Sequence, residues 1–420
     1  MKLGRFEVVK SIARRVVAWL ASSQASYFVV ETLFLISGRR RMRSDNDLSH
    51  VQRLLVVRLD EIGDVVLTTP FLRELRRNLP NAWITLIVKP EAYNLVEHCP
   101  YVNEVLTYDW SGYRLFEGHW RALRWAWKHL WSRRFELAIL PRWDTDWYHA
   151  ALLVYFSGAP WRAGYSEHIS AEKQRLNGGF DCLLTHLLVD GALKHEVEHN
   201  LDMLRFLGGT VENDRLELWL TAEDSAIAAR TWESHRVRGH DLVVGLGPSS
   251  GNTLLKQWPV SNFVEFASWL RTYYQARVLI VGGPGEETLG EIIESATGAS
   301  VVNMVGKTSL RQTAALLKRC QLYVGNDAGP MHMASAVSVP AIALFGSSCP
   351  HRFGPWQERG NVLWSAVPCS ACFQDNHRDR CPSCPFDRLH CMLAITLDQV
   401  KAVTSRVLEE SGNWSSSERL

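Results

Sequence analysis

The stretch that decides the fold is Gly325-Asn326-Asp327-Ala328-Gly329-Pro330-Met331-His332, and the apolar run after it ends in Leu344-Phe345-Gly346. It has the pattern of a strand end, a loop of small residues and a helix start. In an open α/β sheet the carboxyl ends of the strands face the ligand crevice, and helix starts bind anions. The stretch therefore predicts an α/β domain whose loop presents polar groups to a phosphate-bearing ligand.

A second loop of similar build, Asp60-Glu61-Ile62-Gly63-Asp64, follows the first clear strand of the chain. The chain has 420 residues, which is too long for one compact core. Two such loops in two halves predict a cleft between two nucleotide-binding-type domains. The composition, 46% hydrophobic and 21% charged, is that of an ordinary soluble globular protein. A net charge of +2 gives no reason to expect a nucleic-acid partner.

Short apolar runs alternate with helical stretches along the chain, which predicts parallel α/β sheets. The predicted strands are residues 53–59, 83–88, 105–107 and 137–140 in the first half and 242–246, 278–281, 301–303, 322–324 and 341–344 in the second. The predicted helices include residues 69–78, 261–274 and 310–320. The predicted domains are an N-terminal domain over 51–220, a C-terminal domain over 221–403 and a helix end with a tail over 404–420.

Residues 1–50 form a separate basic extension. Residues 1–44 contain nine Lys and Arg against two Glu, so this segment carries +7 and the rest of the chain −5. Polar residues interrupt its apolar part, residues 16–36, too often for a typical bilayer span. The pattern predicts amphipathic helices that lie on the inner membrane surface or pack on the protein body. No signal peptide is recognised, so a cytoplasmic location is expected.

Two more loops could hold phosphate, since each joins a strand to a helix. Gly247–Thr253 offers backbone N–H groups and hydroxyls, with Lys256 as a point charge. Gly282–Glu286 is a further Gly-rich loop, and either could also be an ordinary turn. Together with the loop quoted first they converge on one sheet edge. The candidates for contact with the phosphate-bearing ligand, below called the donor, are Gly247, Ser249, Ser250, Lys256, Gly283, Glu286, Asn326, Asp327, Ala328, Gly329 and His332.

Asp64 stands where a strand gives way to a helix. A carboxylate at that place can accept a proton from an attacking hydroxyl. It can equally cap the helix that follows. His332 has a similar ambiguity, because a histidine in this position is either packed in the protein or part of the site.

Five cysteines lie close together near the C-terminus, in a segment covering residues 369–391. The pattern is two Cys-x2-Cys pairs and one further cysteine: Cys369, Cys372, Cys381, Cys384 and Cys391. Such pairs are typical of a structural zinc or iron site. Reduced structural thiols are the alternative, and two disulfides are less favoured in the cytoplasm.

Taken together, these segments resemble the heptosyltransferase family, glycosyltransferase family 9, over residues 51–403. The segments that carry the resemblance are Val56–Pro70, Lys256–Pro259, Gly325–His332, Val339-Pro340 and Leu344–Gly346. The resemblance implies a GT-B fold, with two Rossmann-like domains and an interdomain cleft. It also implies inverting, metal-independent transfer of heptose from ADP-heptose to a lipopolysaccharide-core-like glycan or glycolipid.

The resemblance further implies residue roles. Asp64 matches the family's general base and Lys256 the lysine near the donor phosphates. Asp327, Ala328, Gly329 and His332 match the donor-binding loop. Gly63, Arg142, Asp144 and Arg162 are expected on the acceptor side, and no cofactor is required for catalysis. Two alternatives stay open, a nucleotide-sugar 2-epimerase of the same fold and a non-catalytic scaffold on the membrane surface.

Overall fold

The structure is a computed structural model that describes residues 48–110, 115–251, 254–298, 300–356, 361–365, 367 and 390–412. Of residues 115–119 it describes the backbone alone. The predicted N-terminal extension, apart from residues 48–50, and the predicted C-terminal tail beyond residue 412 lie outside these ranges. No helix among the described residues is long and apolar enough to cross a bilayer.

Two six-stranded sheets organise the chain, and every strand pairing in them is parallel. The N-terminal sheet has the order β3-β2-β1-β4-β5-β6. Its strands are β1 (Arg53–Arg58), β2 (Trp83–Val88), β3 (Glu104–Thr107), β4 (Leu137–Leu140), β5 (Trp161–Tyr165) and β6 (His186–Leu188).

The C-terminal sheet repeats this order as β12-β11-β10-β7-β8-β9, written from the opposite edge. Its strands are β7 (Val243–Gly247), β8 (Arg277–Ile280), β9 (Val301–Asn303), β10 (Leu322–Asn326), β11 (Ala341–Phe345) and β12 (Val362–Trp364). Both sheets thus have the Rossmann order, in which the ligand crevice lies where the strand order reverses. These switch points lie between β1 and β4 and between β7 and β10. The prediction of two Rossmann-like α/β units is confirmed.

Helices connect the strands. In the first half they are α1 (Ile62–Leu67), α2 (Thr69–Asn78), α3 (Tyr93–Val96), α4 (Leu115–His129), α5 (Ala150–Phe156), α6 (Ala171–Asn177) and α7 (Glu196–Phe206). In the second half they are α8 (Ala222–Ser234), α9 (Val260–Tyr274), α10 (Glu287–Thr297), α11 (Leu310–Leu317), α12 (Gly329–Ala336), α13 (Pro350–Phe353), α14 (His390–Leu393) and α15 (Leu397–Glu410). Short 3-10 helices cover Leu48–His50, Pro90–Ala92, Trp131–Arg133, Glu167–Ile169, Phe180–Leu183 and Leu254–Lys256.

The central strands are buried on both faces because helices cover each side of the sheet. Leu54, Leu55, Val56 and Val57 of β1 are fully buried, which explains why this strand has an unbroken apolar run rather than an alternating one. The apolar core extends from the N-terminal sheet to residues of the C-terminal sheet such as Phe345. Burial on both faces therefore fixes β1 as a central strand and places its carboxyl end at the switch point.

The two halves also touch through polar contacts. Arg311 of α11 donates from Nη1 to the carbonyl of Asn94 in α3 at 2.7 Å. Its Nε donates to Asp224 of α8 at 2.9 Å, and it pairs with Glu97 as well. These contacts join the N-terminal sheet's helix layer to the C-terminal one. The predicted domain limits at residues 220 and 221 fall just before α8 and remain predictions.

Candidate functional site

Asp64 lies in the first turn of α1, at the carboxyl end of β1. The backbone N–H of Glu61 donates to Oδ2 of Asp64 at 3.2 Å, so this carboxylate does support the helix start. Its side chain is 19% exposed. Capping occupies one carboxylate oxygen, and the other oxygen, Oδ1, lies 3.7 Å from Nη2 of Arg58. Helix support and a role in proton transfer are therefore compatible.

Beneath Asp64 is a buried group of ions, here called the arginine–carboxylate cluster: Arg58, Asp60, Arg142, Asp144, Glu196 and Arg352. Arg58 is at its centre, with Nε 2.8 Å from Oδ2 of Asp60 and Nη2 2.6 Å from Oε1 of Glu196. It belongs to β1, whose other central residues are apolar. The Arg58 guanidinium therefore joins the end of β1 to α7, where Glu196 is the first residue.

Arg352 brings the second half of the chain into the same cluster. Its Nη1 lies 2.7 Å from Oδ2 of Asp144, and its Nη2 lies 2.9 Å from Oε2 of Glu196. Arg142 pairs with Asp60 and, at 2.8 Å, with Asp144. Since Arg352 is on α13, after β11, the cluster spans the boundary between the two sheets.

Burial and the charges of the cluster together set the protonation state of Asp64. Burial raises the pKa of Asp64 to about 7, with Arg58 opposing the shift and Glu196 adding to it. In contrast, Arg352 and Arg58 lower the pKa of Glu196 in spite of its burial. Arg142 and Arg352 likewise lower the pKa of Asp144 against the effect of its burial. Glu196 and Asp144 thus stay ionised while Asp64 exchanges its proton near neutral pH.

On the C-terminal side, Lys256 and Asp327 form an ion pair between the carboxyl ends of β7 and β10. Nζ of Lys256 lies 2.7 Å from Oδ2 of Asp327. Lys256 and then His332 lower the pKa of Asp327 against the effect of its burial. Nε2 of His332 lies 3.9 Å from Oδ1 of Asp327. Because burial lowers the pKa of His332 to about 4, this imidazole is neutral at pH 7.

Three other predicted donor residues hold the loops in shape. The Asn326 side chain accepts from the backbone N–H of Trp258 at 3.0 Å and donates to the carbonyl of Pro248 at 2.9 Å. Glu286 accepts from the backbone N–H of Gly283 at 2.6 Å. The Asn326 contacts tie the loop after β7 to the end of β10, and the Gly283–Glu286 contact closes the loop after β8 on itself.

Gly247 and Ser249 lie at the end of β7. A β-carbon at Gly247 would fall 1.8 Å from the hydroxyl oxygen of Tyr323, so glycine is required here by packing. Ser249 is buried beside the strand end, whereas Ser250 is half-buried. Thus the structure brings Ser249, and Ser250 with it, to the edge where Lys256 and Asp327 lie.

The two switch points meet through α1 and α12. A β-carbon at Gly63 would be 2.7 Å from Cδ2 of His332, and one at Gly329 would be 2.9 Å from Cγ2 of Ile62. Ala328 precedes α12 as its N-cap. This contact brings the helix start that carries Asp64 against the helix start that follows Asp327. Asp64 and the donor-side candidates therefore lie on the two sides of one junction between the sheets, here called the gap.

The sequence of this chain is similar to those of known proteins. The family model of glycosyltransferase family 9 (heptosyltransferase) matches residues 123–381. The chain belongs to glycosyltransferase family 9. Lipopolysaccharide heptosyltransferase 3 of Escherichia coli strain K12 is 27% identical to this family 9 chain over 315 residues, which is 72% of this chain and 85% of that protein.

Solved structures agree with the fold of this family 9 enzyme. The glycosyl transferase family 9 protein of Veillonella parvula has a TM-score of 0.71 at 23% identity, covering 88% of this chain and 99% of that one. The ADP-heptose lps heptosyltransferase II of E. coli has a TM-score of 0.65 at 20% identity, covering 86% and 100%. The GT-B expectation is confirmed. The protein is a glycosyltransferase, and neither an epimerase nor a non-catalytic scaffold is favoured.

The structure gives the predicted acceptor-side residues of this glycosyltransferase different surroundings. Arg142 and Asp144 lie in the arginine–carboxylate cluster, close to the gap. Arg162 lies in β5 opposite Ala138, near the amino end of the sheet. Its Nε donates to the carbonyl of Leu183 at 2.7 Å and its Nη1 to that of Ala159 at 2.7 Å. Arg162 is therefore not brought together with Asp64, and these contacts point to a structural role.

The metal prediction falls mainly outside the described part of this family 9 chain. Cys369, Cys372, Cys381 and Cys384 lie outside it, and Cys391 is buried. In the described ranges, ligand atoms of Glu167, His168 and Asp181 lie within 4.8 Å of one another. Glu167 and Asp181 accept backbone N–H groups, with Oε2 of Glu167 2.7 Å from the Gly179 nitrogen. Because the turn itself uses these oxygens, the group is explained without an ion.

Three functional candidates of this enzyme were not predicted from the sequence: Arg58, Glu196 and Arg352. Arg58 had a usable signal, because it is a charged residue at the end of an otherwise apolar strand. Glu196 and Arg352 are 156 residues apart, and the sequence gives no sign that they meet. Only the packing of the two halves brings them together.

Proposed function

We propose that this enzyme transfers heptose from ADP-heptose to a hydroxyl of a lipopolysaccharide-core acceptor, with inversion at the anomeric carbon and without a metal ion. Membership of glycosyltransferase family 9 supports the reaction class. The relatives named above, a lipopolysaccharide heptosyltransferase and an ADP-heptose enzyme, support the choice of donor and acceptor. The observation that carries the proposal is the contact of Gly63 with His332, which brings Asp64 to the donor-side loops.

Asp64 acts as the general base in this proposal. A base with a pKa near the working pH combines a sufficient ionised fraction with a useful proton affinity, and burial raises the pKa of Asp64 to about 7. The ionised Asp64 accepts the proton of the acceptor hydroxyl. That oxygen attacks the anomeric carbon from the face opposite the diphosphate, and this geometry gives inversion.

Lys256 and the start of α12 stabilise the leaving diphosphate. The Lys256 ammonium supplies one positive charge, and the backbone N–H groups near Ala328 and Gly329 belong to the electropositive end of the helix. Asp327 positions Lys256 through its 2.7 Å ion pair. Preorganised groups of this kind stabilise charge that develops in the transition state. They supply the electrostatic role that a metal ion would otherwise have.

Arg352 acts as a positioning residue that links the two halves to Asp64. It lowers the pKa of Asp64 and pairs with Glu196, which raises it. Separation of the halves would withdraw Arg352 from the cluster and leave Asp144 and Glu196 without this partner. Closure around the substrates would also exclude water from the donor. In this proposal, Arg352 therefore increases the ionised fraction of Asp64 when the gap is closed.

The cellular setting belongs to the same proposal. A lipopolysaccharide-core acceptor is attached to lipid, so the enzyme would work in the cytoplasm at the inner face of the membrane. The basic extension predicted over residues 1–50 is consistent with a location at the membrane surface.

The test is transfer from a panel of sugar nucleotides, with ADP-, GDP- and UDP-sugars, to a core acceptor that lacks heptose. We expect the acceptor to gain the mass of one heptose from ADP-heptose only. NMR of the product should show the inverted anomer, and the rate should be unchanged by EDTA. Conversion of a sugar nucleotide into its epimer, with no gain of mass by the acceptor, would contradict the proposal.

A further inference from the structure

The outer face of α4 presents two exposed indoles, from Trp120 and Trp127. The inner face of α4 packs on the N-terminal sheet through Ala122 and Ala126, both fully buried, and Leu130 follows directly after the helix. On the opposite face, Trp120 is 56% exposed and Trp127 is 62% exposed. Large side chains usually turn inward on a helix of this kind, so two exposed indoles on one face need an explanation.

The exposed residues lie along one line. Trp120, Arg124, Trp127 and Lys128 follow the spacing of a single helix face, since residues three, four, seven and eight apart are neighbours there. Trp131 extends the line into the next 3-10 helix, where its ring stacks on that of Trp127 with centroids 4.7 Å apart. The indoles therefore form a continuous ridge. We call Trp120, Arg124, Trp127, Lys128 and Trp131 the α4 ridge.

The charge of the ridge has one sign. From Gly118 to Arg134 the sequence contains no Asp or Glu and five basic residues: Arg121, Arg124, Lys128, Arg133 and Arg134. Arg124 and Lys128 are exposed between the indoles. Arg133 pairs with Glu104. The ridge is thus both aromatic and positively charged.

This combination matches the chemistry of an anionic bilayer surface. Indole rings partition to the headgroup level, where their apolar body and N–H group are both accommodated. Lys and Arg beside them are attracted to lipid phosphates. A small anion would need the cations but not the row of indoles.

The place of α4 in the fold fits such a surface. The helix follows β3, whose carboxyl end lies at the same sheet edge as the end of β1, and Asp64 follows β1. The start of α4 is therefore on the side of the sheet edge that holds the site. The ridge runs from this side towards the amino end of β4, so docking along it would lay one side of the N-terminal sheet on the bilayer, with the site at one end of that side.

We propose that the α4 ridge docks the enzyme on an anionic lipid bilayer, with Trp120 and Trp127 at the headgroup level and Arg124 and Lys128 on lipid phosphates. This deepens the proposed function by naming the surface on which a lipid-linked acceptor is met. The docking itself requires neither donor nor acceptor.

The test is co-sedimentation of the full chain with vesicles, without any sugar nucleotide. One set of vesicles contains phosphatidylglycerol and phosphatidylcholine, and the other contains phosphatidylcholine alone. We expect binding to the anionic set only. Charge reversal in Arg124→Glu/Lys128→Glu should weaken binding by more than about tenfold, since each cation near an anionic surface contributes roughly fivefold. Trp120→Ser/Trp127→Ser should weaken it by about tenfold or more.

Matched controls separate this surface from general effects. Trp83→Ser/Trp364→Ser removes two exposed indoles elsewhere, and Arg230→Glu/Lys318→Glu reverses two exposed cations elsewhere. Both controls should bind as the wild type does. Equal binding of the α4 variants and the wild type, or equal binding to both vesicle sets, would overturn the proposal.

Turnover with a delipidated acceptor distinguishes this proposal from the proposed function. The α4 variants should retain that turnover, which also shows that they fold. If the wild type binds vesicles through α4 but transfers no heptose, the proposed function fails and the docking surface stands. If it transfers heptose but the α4 variants keep wild-type vesicle binding, the docking surface fails alone.

Discussion

Gly63 of the first half lies against His332 of the second, so closely that a β-carbon at Gly63 would be 2.7 Å from Cδ2 of the imidazole. Gly63 is inside α1, in a conformation that alanine also adopts. The requirement for glycine therefore comes from the contact between the halves and not from the local backbone. This contact is the physical link between the candidate base and the donor-side loops.

Gly63→Ala tests that link. Within an isolated helix the change would raise stability slightly, because alanine has the higher helix propensity. At this contact the added methyl pushes α1 and α12 apart. We expect kcat/KM to fall by on the order of tenfold to a hundredfold, and overpacking against the buried His332 ring to lower the free energy of unfolding by about 1–3 kcal/mol. Gly239→Ala, where an added β-carbon meets nothing within 4 Å, is the matched control. Wild-type kcat/KM in Gly63→Ala would contradict the closed contact.

Arg352→Gln tests the cluster that joins the halves. It leaves Glu196 and Asp144 buried without one cation, and breaking a buried ion pair destabilises a protein by about 3–5 kcal/mol. Because Arg352 lowers the pKa of Asp64, its removal should move the acid limb of the kcat/KM profile to higher pH. Arg175→Gln removes the guanidinium of a side chain that is 45% exposed and pairs with Glu172, and this change should cost less stability than Arg352→Gln. An unchanged pH profile of kcat/KM would show that Arg352 does not influence the pKa of Asp64.

The pH dependence of stability tests the state of Asp64 directly. Its pKa is about 7 in the folded state and near 3.8 without the fold. Between these values the folded state binds more protons than the unfolded state, so this residue reduces stability as pH rises. We expect the free energy of unfolding of the wild type to fall relative to Asp64→Asn between pH 5 and pH 8. Lys173, whose pKa burial lowers to about 7, is common to both proteins and cancels in the comparison. Parallel curves would show that Asp64 is already ionised at pH 5.

Lys256→Gln tests the diphosphate site. The change removes one charge-assisted hydrogen bond to the donor, which typically contributes about 1.5–3 kcal/mol. We therefore expect the Kd for ADP, measured by calorimetry, to rise roughly tenfold to a hundredfold. Lys307→Gln is the control, because Lys307 donates to the carbonyl of Asn303 and lies at another strand end. Equal ADP affinity in Lys256→Gln and the wild type would show that the diphosphate does not bind at Lys256.

The sequence was sufficient for the central strands, whereas the strand order that locates the two switch points came from the structure. Apolar runs predicted β2, β4 and β9 with the observed limits, since burial on both faces leaves an unbroken apolar pattern. β5 was not predicted as a strand, because Arg162 and Gly164 interrupt its apolar run. β6 and β12 have three residues each, too few to show a pattern. These strands exist because a neighbouring strand pairs with them.

The candidate site could be predicted from the sequence where a charged residue follows a predicted strand. Asp64, Lys256 and Asp327 stand at strand ends, and parallel strands bring such residues to one edge. The structural role of Asn326 could not be predicted from the sequence. Its hydrogen-bond partners, Trp258 and Pro248, come close to it only when the loop is folded. The spacing of Trp120 and Trp127 is visible in the sequence. That this face of α4 points outward is decided by the packing of Ala122 and Ala126 on the sheet.

The central claim is that Asp64 removes the proton of the acceptor while the groups around Lys256 hold the donor. Its most direct test is Asp64→Asn, assayed in parallel for heptose transfer and for ADP binding by calorimetry. Loss of a positioned general base typically slows a reaction by about 10²–10⁴-fold. We expect transfer to fall by that amount while the Kd for ADP stays within about twofold. Transfer at the wild-type rate, or loss of ADP binding in step with transfer, would contradict the account.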